Sequence, residues 1–180
     1  MTEIYMITGP AGSGKTTLGL ALAEQLGSAT RDLDDVAVDL LADYRRSHPG
    51  GTEADALEAL RDERYARLAE AARAVLVDDS FPSLVLIAPF TAETSSAARW
   101  SEWLAEVGVP DERAHVVWLA VPAQERLRRL AERGAVRDTE VVATGDLPEP
   151  GAPSVPALVI DARMAVADQV EAVVQRFGNG

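Results

Sequence analysis

The chain has 180 residues, of which 47% are hydrophobic, and its formal net charge is −12 at neutral pH. This composition is typical of one globular domain, and the acidic balance without any basic block argues against nucleic acid or an anionic membrane surface as a partner. The chain has no cysteine, and its two histidines, His48 and His115, are far apart, so disulfides and the usual zinc sites are excluded. Neither a leader pattern nor an apolar run of about 18 residues is visible, so we expect a cytoplasmic protein.

Apolar runs alternate with helical patterns along the chain. Strands are predicted at 4–8, 28–33, 84–88, 116–121 and 157–160, and helices at 16–26, 36–46, 53–77, 91–107, 122–133 and 166–177. Thr91 or Thr94 is the candidate cap of the fourth helix. Residues 135–145 have no clear pattern, and four prolines in the next eleven residues predict a surface loop. The alternation predicts an α/β fold of about five parallel strands between helices, in a single domain at 1–180.

The first predicted turn carries the strongest motif. The sequence GPAGSGKT from Gly9 to Thr16 matches G-x-x-x-x-G-K-[ST] and lies between the first strand and the first helix, where a phosphate-binding loop belongs. Lys15 is the only lysine among 17 basic residues. A compact ammonium on a flexible stem can follow a phosphate in a tight loop, which a planar guanidinium does less easily. The motif predicts nucleotide binding by Gly9, Ala11, Gly12, Ser13, Gly14, Lys15, Thr16 and Thr17.

Several large classes of nucleotide-binding protein lack support in this sequence. Without a second lysine the chain cannot contain the N-K-x-D motif that reads guanine in Ras-type GTPases, and it contains no D-x-x-G and no LSGGQ. A motor ATPase of the AAA+ or helicase type needs paired acids at the end of a buried strand, whereas "LVLIAPF" ends in Pro89 and Phe90. What remains is a compact chain of the size of a small kinase.

Beyond the loop, the chain resembles small P-loop kinases of the shikimate kinase and gluconate kinase type over nearly its whole length. "DLDDVAVDLL" resembles the D-x-D element after the second strand, and "ALEALRDERY" resembles the helix that carries F-R-x-x-E. "VVWLAVPAQERLRRLAERGAVRD" resembles the fourth strand, the following helix and an arginine-bearing lid. The resemblance implies the three-layer P-loop NTPase fold, a small lid and loop at roughly 133–156, and ATP with Mg²⁺ as cofactors.

The D-x-D resemblance implies roles for the acids after the second strand. Asp32 matches the acid that holds the magnesium shell, together with the hydroxyl of Thr16, and Asp34 matches the catalytic acid that hydrogen-bonds the acceptor hydroxyl. Arg61 matches the arginine of F-R-x-x-E and is the implied substrate ligand. The alternative is that Asp32, Asp34 or Asp35 only caps the next helix, where acids suit the positive end of the dipole.

The arginines of the helix over 122–133 and of the lid are implied to hold the nucleotide. Arg128 or Arg129 is expected near adenine, Arg133 belongs to the same nucleotide-binding set, and Arg137 is expected over the phosphates as a catalytic residue. The alternative is a solvated helix face paired with glutamates, because the three- and four-residue spacing of Arg126, Arg129, Arg133 and Arg137 also fits that.

The departures from the family pattern bear on the acceptor. "APFT" stands where shikimate kinases have a glycine-rich element, and R-x-x-x-Y is missing after the lid, so shikimate itself is not expected. We expect ATP-dependent phosphoryl transfer to a hydroxyl of a sugar, sugar acid, antibiotic or similar small molecule, by a monomer or homodimer. One alternative is a nucleoside or nucleotide kinase that uses Arg45, Arg46, Arg61 and Arg64. The other is a regulatory nucleotide-binding module with weak hydrolysis.

Overall fold

The computed structural model describes residues 2–78, 80–135, 138–147 and 151–178. Its centre is one sheet of five strands in the order β2-β3-β1-β4-β5, and every neighbouring pair is parallel. The strands are β1 (Glu3–Thr8), β2 (Ala29–Asp32), β3 (Ser83–Ile87), β4 (Ala114–Ala120) and β5 (Ala157–Asp161). The predicted α/β fold with about five parallel strands is confirmed.

Helices cover both faces of the sheet, which explains why the central strands are apolar at consecutive positions. Ile4 and Met6 of β1 face one layer, where they pack with Leu84 and Leu86 of β3 and with the helices between them. Tyr5 and Ile7 face the other layer, which contains the first and last helices of the chain. Burial on both faces therefore holds the sheet as the middle of three layers.

The helices are α1 (Lys15–Leu26), α2 (Leu33–Val36), α3 (Val38–Ser47), α4 (Glu53–Ala59), α5 (Arg61–Asp78), α6 (Ala97–Val107), α7 (Ala123–Arg133), α8 (Thr139–Thr144) and α9 (Val166–Phe177), with a 3₁₀ turn at Asp111–Arg113. The helix predicted over 53–77 is interrupted, because Leu60 separates α4 from α5. The helix predicted over 36–46 corresponds to α3, and Ala37 separates it from the short helix α2, which was not predicted. Neither residue is a glycine or a proline, so the sequence carries no local signal for these breaks. Within the described ranges, no helix is long and apolar enough to span a bilayer.

The predicted start of the helix over 91–107 is wrong. The helix begins at Ala97 and its cap is Ser96, whose hydroxyl accepts a hydrogen bond from the backbone N–H of Arg99. Thr94 does not cap it, since its hydroxyl donates to the carbonyl of Phe90 at 2.7 Å. The reason lies in the preceding turn, where Phe90 has φ 47° and leads the chain away from the sheet before a helix can start.

The aromatic side chains of this layer form part of the core. Trp100 and Trp103 of α6 are both buried and belong to the same core cluster. Tyr65 of α5 packs edge-on against Phe90 and Trp103, each with ring centroids 5.9 Å apart. The phenol oxygen of Tyr65 accepts a hydrogen bond from the Phe90 backbone at 3.0 Å, which fixes the unusual turn after β3.

All five strands end at the same edge of the sheet because they are parallel. The register pairs Asp32 with Ile87, Thr8 with Trp118, and Ala120 with Asp161. The segments that follow β1, β2, β3 and β5 therefore meet at this edge, where ligands bind in open α/β sheets.

Candidate active site

A cleft of about 830 Å³ opens at the carboxyl edge of the sheet. Its floor is the loop from β1 to α1. One end is formed by the segment after β2 together with parts of α4, α5 and the end of β3, and the other end by α7, α8 and the turn before α9. The lining residues include Ala11–Thr17, Asp32–Asp34, Ala54, Leu57, Arg64, Ile87–Pro89, Arg129, Leu130, Arg133, Asp138, Val141, Ala162, Met164, Val166 and Gln169.

The loop between β1 and α1 has the tight form that a phosphate-binding loop requires. Gly9, Gly12 and Gly14 all have positive φ, at 145°, 78° and 94°. A Cβ at Gly12 would lie 3.1 Å from the carbonyl oxygen of Arg126, so the loop lies directly against α7. Gly9 does not line the cleft. Because it has no side chain, the loop can pass close to Leu119 at this position.

The polar groups of this loop fit an anionic ligand. The first turn of α1 contains no acidic side chain, so the positive end of its dipole is not offset. Ser13 Oγ is buried and has no hydrogen-bond partner among the described residues. Lys15 lies back along the loop and donates from Nζ to the carbonyl of Pro10 at 2.9 Å. Oriented N–H groups, a helix N-terminus and a lysine at one place are the donor set that a nucleotide phosphate needs.

Thr16 and Asp32 meet at the boundary between the two ends of the cleft. Thr16 Oγ1 donates to Asp32 Oδ2 at 3.0 Å, and the other carboxylate oxygen of Asp32 accepts from the Asp34 backbone at 3.0 Å. Burial raises the pKa of Asp32 above its usual value, although these two hydrogen bonds act to lower it. A hydroxyl and a carboxylate are oxygen ligands that fit Mg²⁺. Among the described residues, no three or more histidine, cysteine, aspartate or glutamate side chains come together as a metal-binding group.

Asp32 also resolves which acid caps the helix after β2. Its side chain caps α2, whereas Asp34 and Asp35 lie in the first turn of that helix. The interpretation as a helix cap is therefore confirmed for Asp32 and wrong for Asp34 and Asp35. The Asp34 side chain instead contacts α5 at the same end of the cleft.

Asp34 forms an ion pair with a buried arginine. Arg64 of α5 donates from a terminal guanidinium nitrogen to Asp34 Oδ1 at 2.7 Å. The Arg64 side chain is only 7% exposed, whereas Asp34 is 48% exposed and lines the cleft. The structure thus places Asp34 at the end of the cleft away from α7, with its carboxylate oriented by a cation that is fixed in the fold.

Arg61, the implied substrate ligand, lies elsewhere. It does not line the cleft. Its guanidinium donates to Glu93 at 2.7 Å and stacks over the ring of Tyr65, 4.5 Å from the centroid. Arg64, one turn further along α5, occupies the position at the cleft that the sequence assigned to Arg61. The four arginines considered for an acceptor phosphate are also not brought together, because Arg45 pairs with Glu53 and Arg46 with Asp43 on the surface.

The arginines of α7 fall into two groups. Arg129 lines the cleft and joins three segments: it bonds Glu125 of its own helix, the carbonyl of Ser13 at 3.3 Å and the carbonyl of Ala162 at 2.8 Å. Arg128 points away from the cleft and pairs with Glu125 and Glu132, so the solvated-face interpretation fits Arg128.

Arg133 also lines the cleft, and it bonds Asp138 at the start of α8. Arg137 lies outside the described residues. The lid at roughly 133–156 stays a prediction, although its last part is anchored. Ser154 donates to the carbonyl of Thr94 at 2.8 Å, and Val155 is buried in the core.

Arg126 and Gln169 support this end of the cleft from buried positions. Arg126 does not line the cleft, but it donates from Nε to the carbonyl of Ala11 at 3.2 Å and supports the loop from beneath, so the solvated-face interpretation is wrong for this arginine. Gln169 of α9 lines the cleft and donates to the carbonyl of Met164 at 2.9 Å. Sequence reasoning missed Gln169, because only the tertiary packing brings it to the cleft.

Comparison with known proteins supports a kinase. A family model described as "AAA domain" matches residues 6–143. A shikimate kinase from Salinispora arenicola is 32% identical over 174 residues, which is 88% of this chain and 99% of the relative.

Solved structures share the fold at low sequence identity. A putative kinase from Chloroflexus aurantiacus has a TM-score of 0.66 and 19% identity, and the match covers 99% of this chain and 97% of that one. The APS kinase of Mycobacterium tuberculosis, in complex with AMPPNP and APS, has a TM-score of 0.64 and 20% identity, with 99% and 98% covered. β3 ends at Ile87 and is followed by Ala88, Pro89 and Phe90, so this described part of the chain lacks the paired acids that a motor ATPase needs there.

Proposed function

This chain belongs to the AAA-domain P-loop family and is a small-molecule kinase homologous to shikimate kinase, and we propose that it transfers the γ-phosphoryl group of ATP to a hydroxyl of a small metabolite with the help of Mg²⁺. ATP would lie along the loop from Ala11 to Thr17, with its base at the α7 end of the cleft. The acceptor would lie at the opposite end, beside Asp34.

Different residues of the cleft have different roles in the proposed phosphoryl transfer. Loop N–H groups and Lys15 bind the phosphate oxygens and offset their charge, and Thr16 and Asp32 would hold the metal ion. When bound, Mg²⁺ supplies further charge neutralisation at the phosphates. Asp34 orients the acceptor hydroxyl and accepts its proton. Because phosphoryl transfer needs little covalent chemistry from the protein, positioning and electrostatic stabilisation carry the rate.

The observation that carries this proposal is the Asp34–Arg64 pair across the cleft from the phosphate loop. A nucleotide-binding regulatory module has no need for a carboxylate that is oriented by a buried arginine at the empty end of its cleft. Holding Arg64 at 7% exposure removes it from water, which costs free energy and is offset only by a good partner. An acceptor-binding kinase gains from this arrangement, because its base is held in place before the acceptor arrives.

A panel of candidate acceptors tests the proposal. Purified protein is mixed with ATP, Mg²⁺ and sugars, sugar acids, nucleosides or aminoglycosides, and ADP formation is measured with and without each compound. The proposal expects at least one compound to raise ADP formation well above the basal rate and to yield a phosphorylated product. Slow hydrolysis that no compound accelerates would favour the regulatory module.

A further inference from the structure

The acceptor end of the cleft has a charge balance of its own. We name the acceptor pocket by the five lining residues Leu33, Asp34, Ala54, Leu57 and Arg64. We propose that this pocket takes an uncharged ring alcohol and rejects hydroxy acids. This inference rests on the proposed kinase function and specifies the substrate class of the same site.

The cation of the acceptor pocket is already neutralised. Arg64 is bonded to Asp34 at 2.7 Å, and its Nε is buried out of reach of a ligand. A carboxylate that approached Arg64 would therefore approach Asp34 at the same time, with Asp32 two residues away on the same segment. Like charges at such short range disfavour binding, and the acid's own desolvation adds to the cost. The pair presents a neutral, hydrogen-bonding surface to the acceptor.

The second arginine of this region is neutralised as well. Arg61 is held by Glu93, whose side chain is only 10% exposed, and by the ring of Tyr65. Among the described residues, the other cations along the cleft are Lys15, Arg129 and Arg133. They lie on the phosphate loop or at the α7 end, where they serve the nucleotide. Arg64 is thus the cation that the described part of the acceptor pocket offers to an acidic acceptor, and it is already matched by Asp34.

The rest of the acceptor pocket is apolar. Leu33 of α2 and Ala54 and Leu57 of α4 line it beside the ion pair. Sites of this kind bind the apolar face of a small ligand, while a few polar groups fix its orientation. A ring alcohol has both features, since its C–H face can pack on the leucines while a hydroxyl bonds Asp34.

Matched pairs of acceptors test the charge preference directly. The pairs are shikimate and methyl shikimate, and quinate and methyl quinate, and the members of each pair differ in the charged group. Affinity is measured with a non-hydrolysable ATP analogue bound, and transfer is measured as acceptor-dependent ADP formation. Wild type should bind the uncharged member of each pair at least about 10-fold more tightly than the acidic member, which is the scale of one close charge interaction.

Two variants with the same chemical change separate the pocket from the surface. Asp34→Asn removes the charge that neutralises Arg64 but keeps an amide oxygen for its hydrogen bond, so affinity for the acidic members should rise about 10-fold although transfer falls. Asp39→Asn makes the same change at the partner of Arg67, which lies on α5 as Arg64 does. The Asp39–Arg67 pair is exposed and lies outside the cleft. This variant should leave the preference as in wild type. Melting curves confirm that both variants are folded.

The outcomes distinguish this inference from the function on which it rests. The inference is overturned if wild type prefers the acidic members, or if Asp34→Asn has the same preference as wild type. Neither result contradicts the proposed kinase function. A shift that Asp39→Asn reproduces also overturns the inference, because net charge alone would then explain the effect. Transfer to no acceptor of either charge contradicts the kinase, and the inference falls with it.

Discussion

The contact between the phosphate loop and α7 can be tested by adding one methyl group at Gly12. An alanine Cβ there would lie 3.1 Å from the Arg126 carbonyl oxygen and 3.2 Å from Leu130 Cγ, at a residue whose φ is 78°. Gly27, the C-cap of α1, has a similar φ of 62° and no atom within 4 Å of such a Cβ. Gly27→Ala therefore reports the cost of left-handed backbone alone, and Gly12→Ala adds the crowding.

The expected magnitudes follow from these two terms. Left-handed backbone costs alanine about 1–2 kcal/mol, and the smaller unfolded-state entropy of alanine returns about 0.4–1 kcal/mol. Gly27→Ala should thus lose about 1 kcal/mol of unfolding free energy. Gly12→Ala should lose about 1–3 kcal/mol more, because a backbone carbonyl cannot move aside easily. Urea unfolding measures both.

Nucleotide affinity is the second readout of the same pair. Gly12→Ala should weaken binding of an ATP analogue at least about 10-fold, because the displaced loop no longer aims its N–H groups together. Gly27→Ala, at the far end of α1, should bind as wild type does. Equal unfolding free energies and equal affinities for the two variants would refute the close packing of this loop on α7.

Four further predictions concern the same cleft. Lys15→Ala should abolish ATP turnover with an unchanged melting temperature, and Lys15→Arg should also be badly impaired; near-normal turnover in the alanine variant would remove the phosphate-loop assignment. Activity should vanish with EDTA and return with Mg²⁺ or Mn²⁺, and turnover that ignores chelation would count against the metal site. Burial raises the pKa of Asp32, so its ionised form destabilises the folded state at neutral pH, and this cost disappears as the pH falls below the raised pKa. Asp32→Asn should then melt no lower than wild type at neutral pH while its response to Mg²⁺ is lost; a much lower melting temperature would contradict this. Trypsin should cut after Arg133 more slowly when an ATP analogue is bound, whereas equal rates would argue against a lid.

The fold and the phosphate loop could be predicted because their signals are local. A strand such as "LVLIA" is buried on both faces by helices, so it appears in the sequence as an unbroken apolar run. The loop motif needs glycines, Lys15 and Thr16 at fixed spacing, and the bond from Lys15 to the Pro10 carbonyl lies within the motif itself. The position of Asp32 at the end of β2 followed from the same alternation.

The acceptor end could not be predicted in the same way because distant contacts decide it. Arg61 and Arg64 lie one turn apart on α5, and either suits a substrate ligand by residue type. Arg61 is bound by Glu93, which lies 32 residues further along the chain. Arg64 is bound by Asp34, which lies 30 residues before it. Nothing near α5 encodes this choice.

Phosphoryl transfer in a single turnover, for wild type and Asp34→Asn, tests the central claim most directly. The structure makes Asp34 the partner of a buried arginine, so we expect the variant to lose some stability, and transfer is measured well below its melting temperature. ATP-analogue affinity should hold because the phosphate loop is untouched. Transfer to an acceptor that wild type phosphorylates should fall about 10²-fold or more, the scale of a lost general base. A folded variant that transfers as fast as wild type would contradict the assignment of Asp34, and wild type that transfers to nothing across the panel would contradict the proposed kinase.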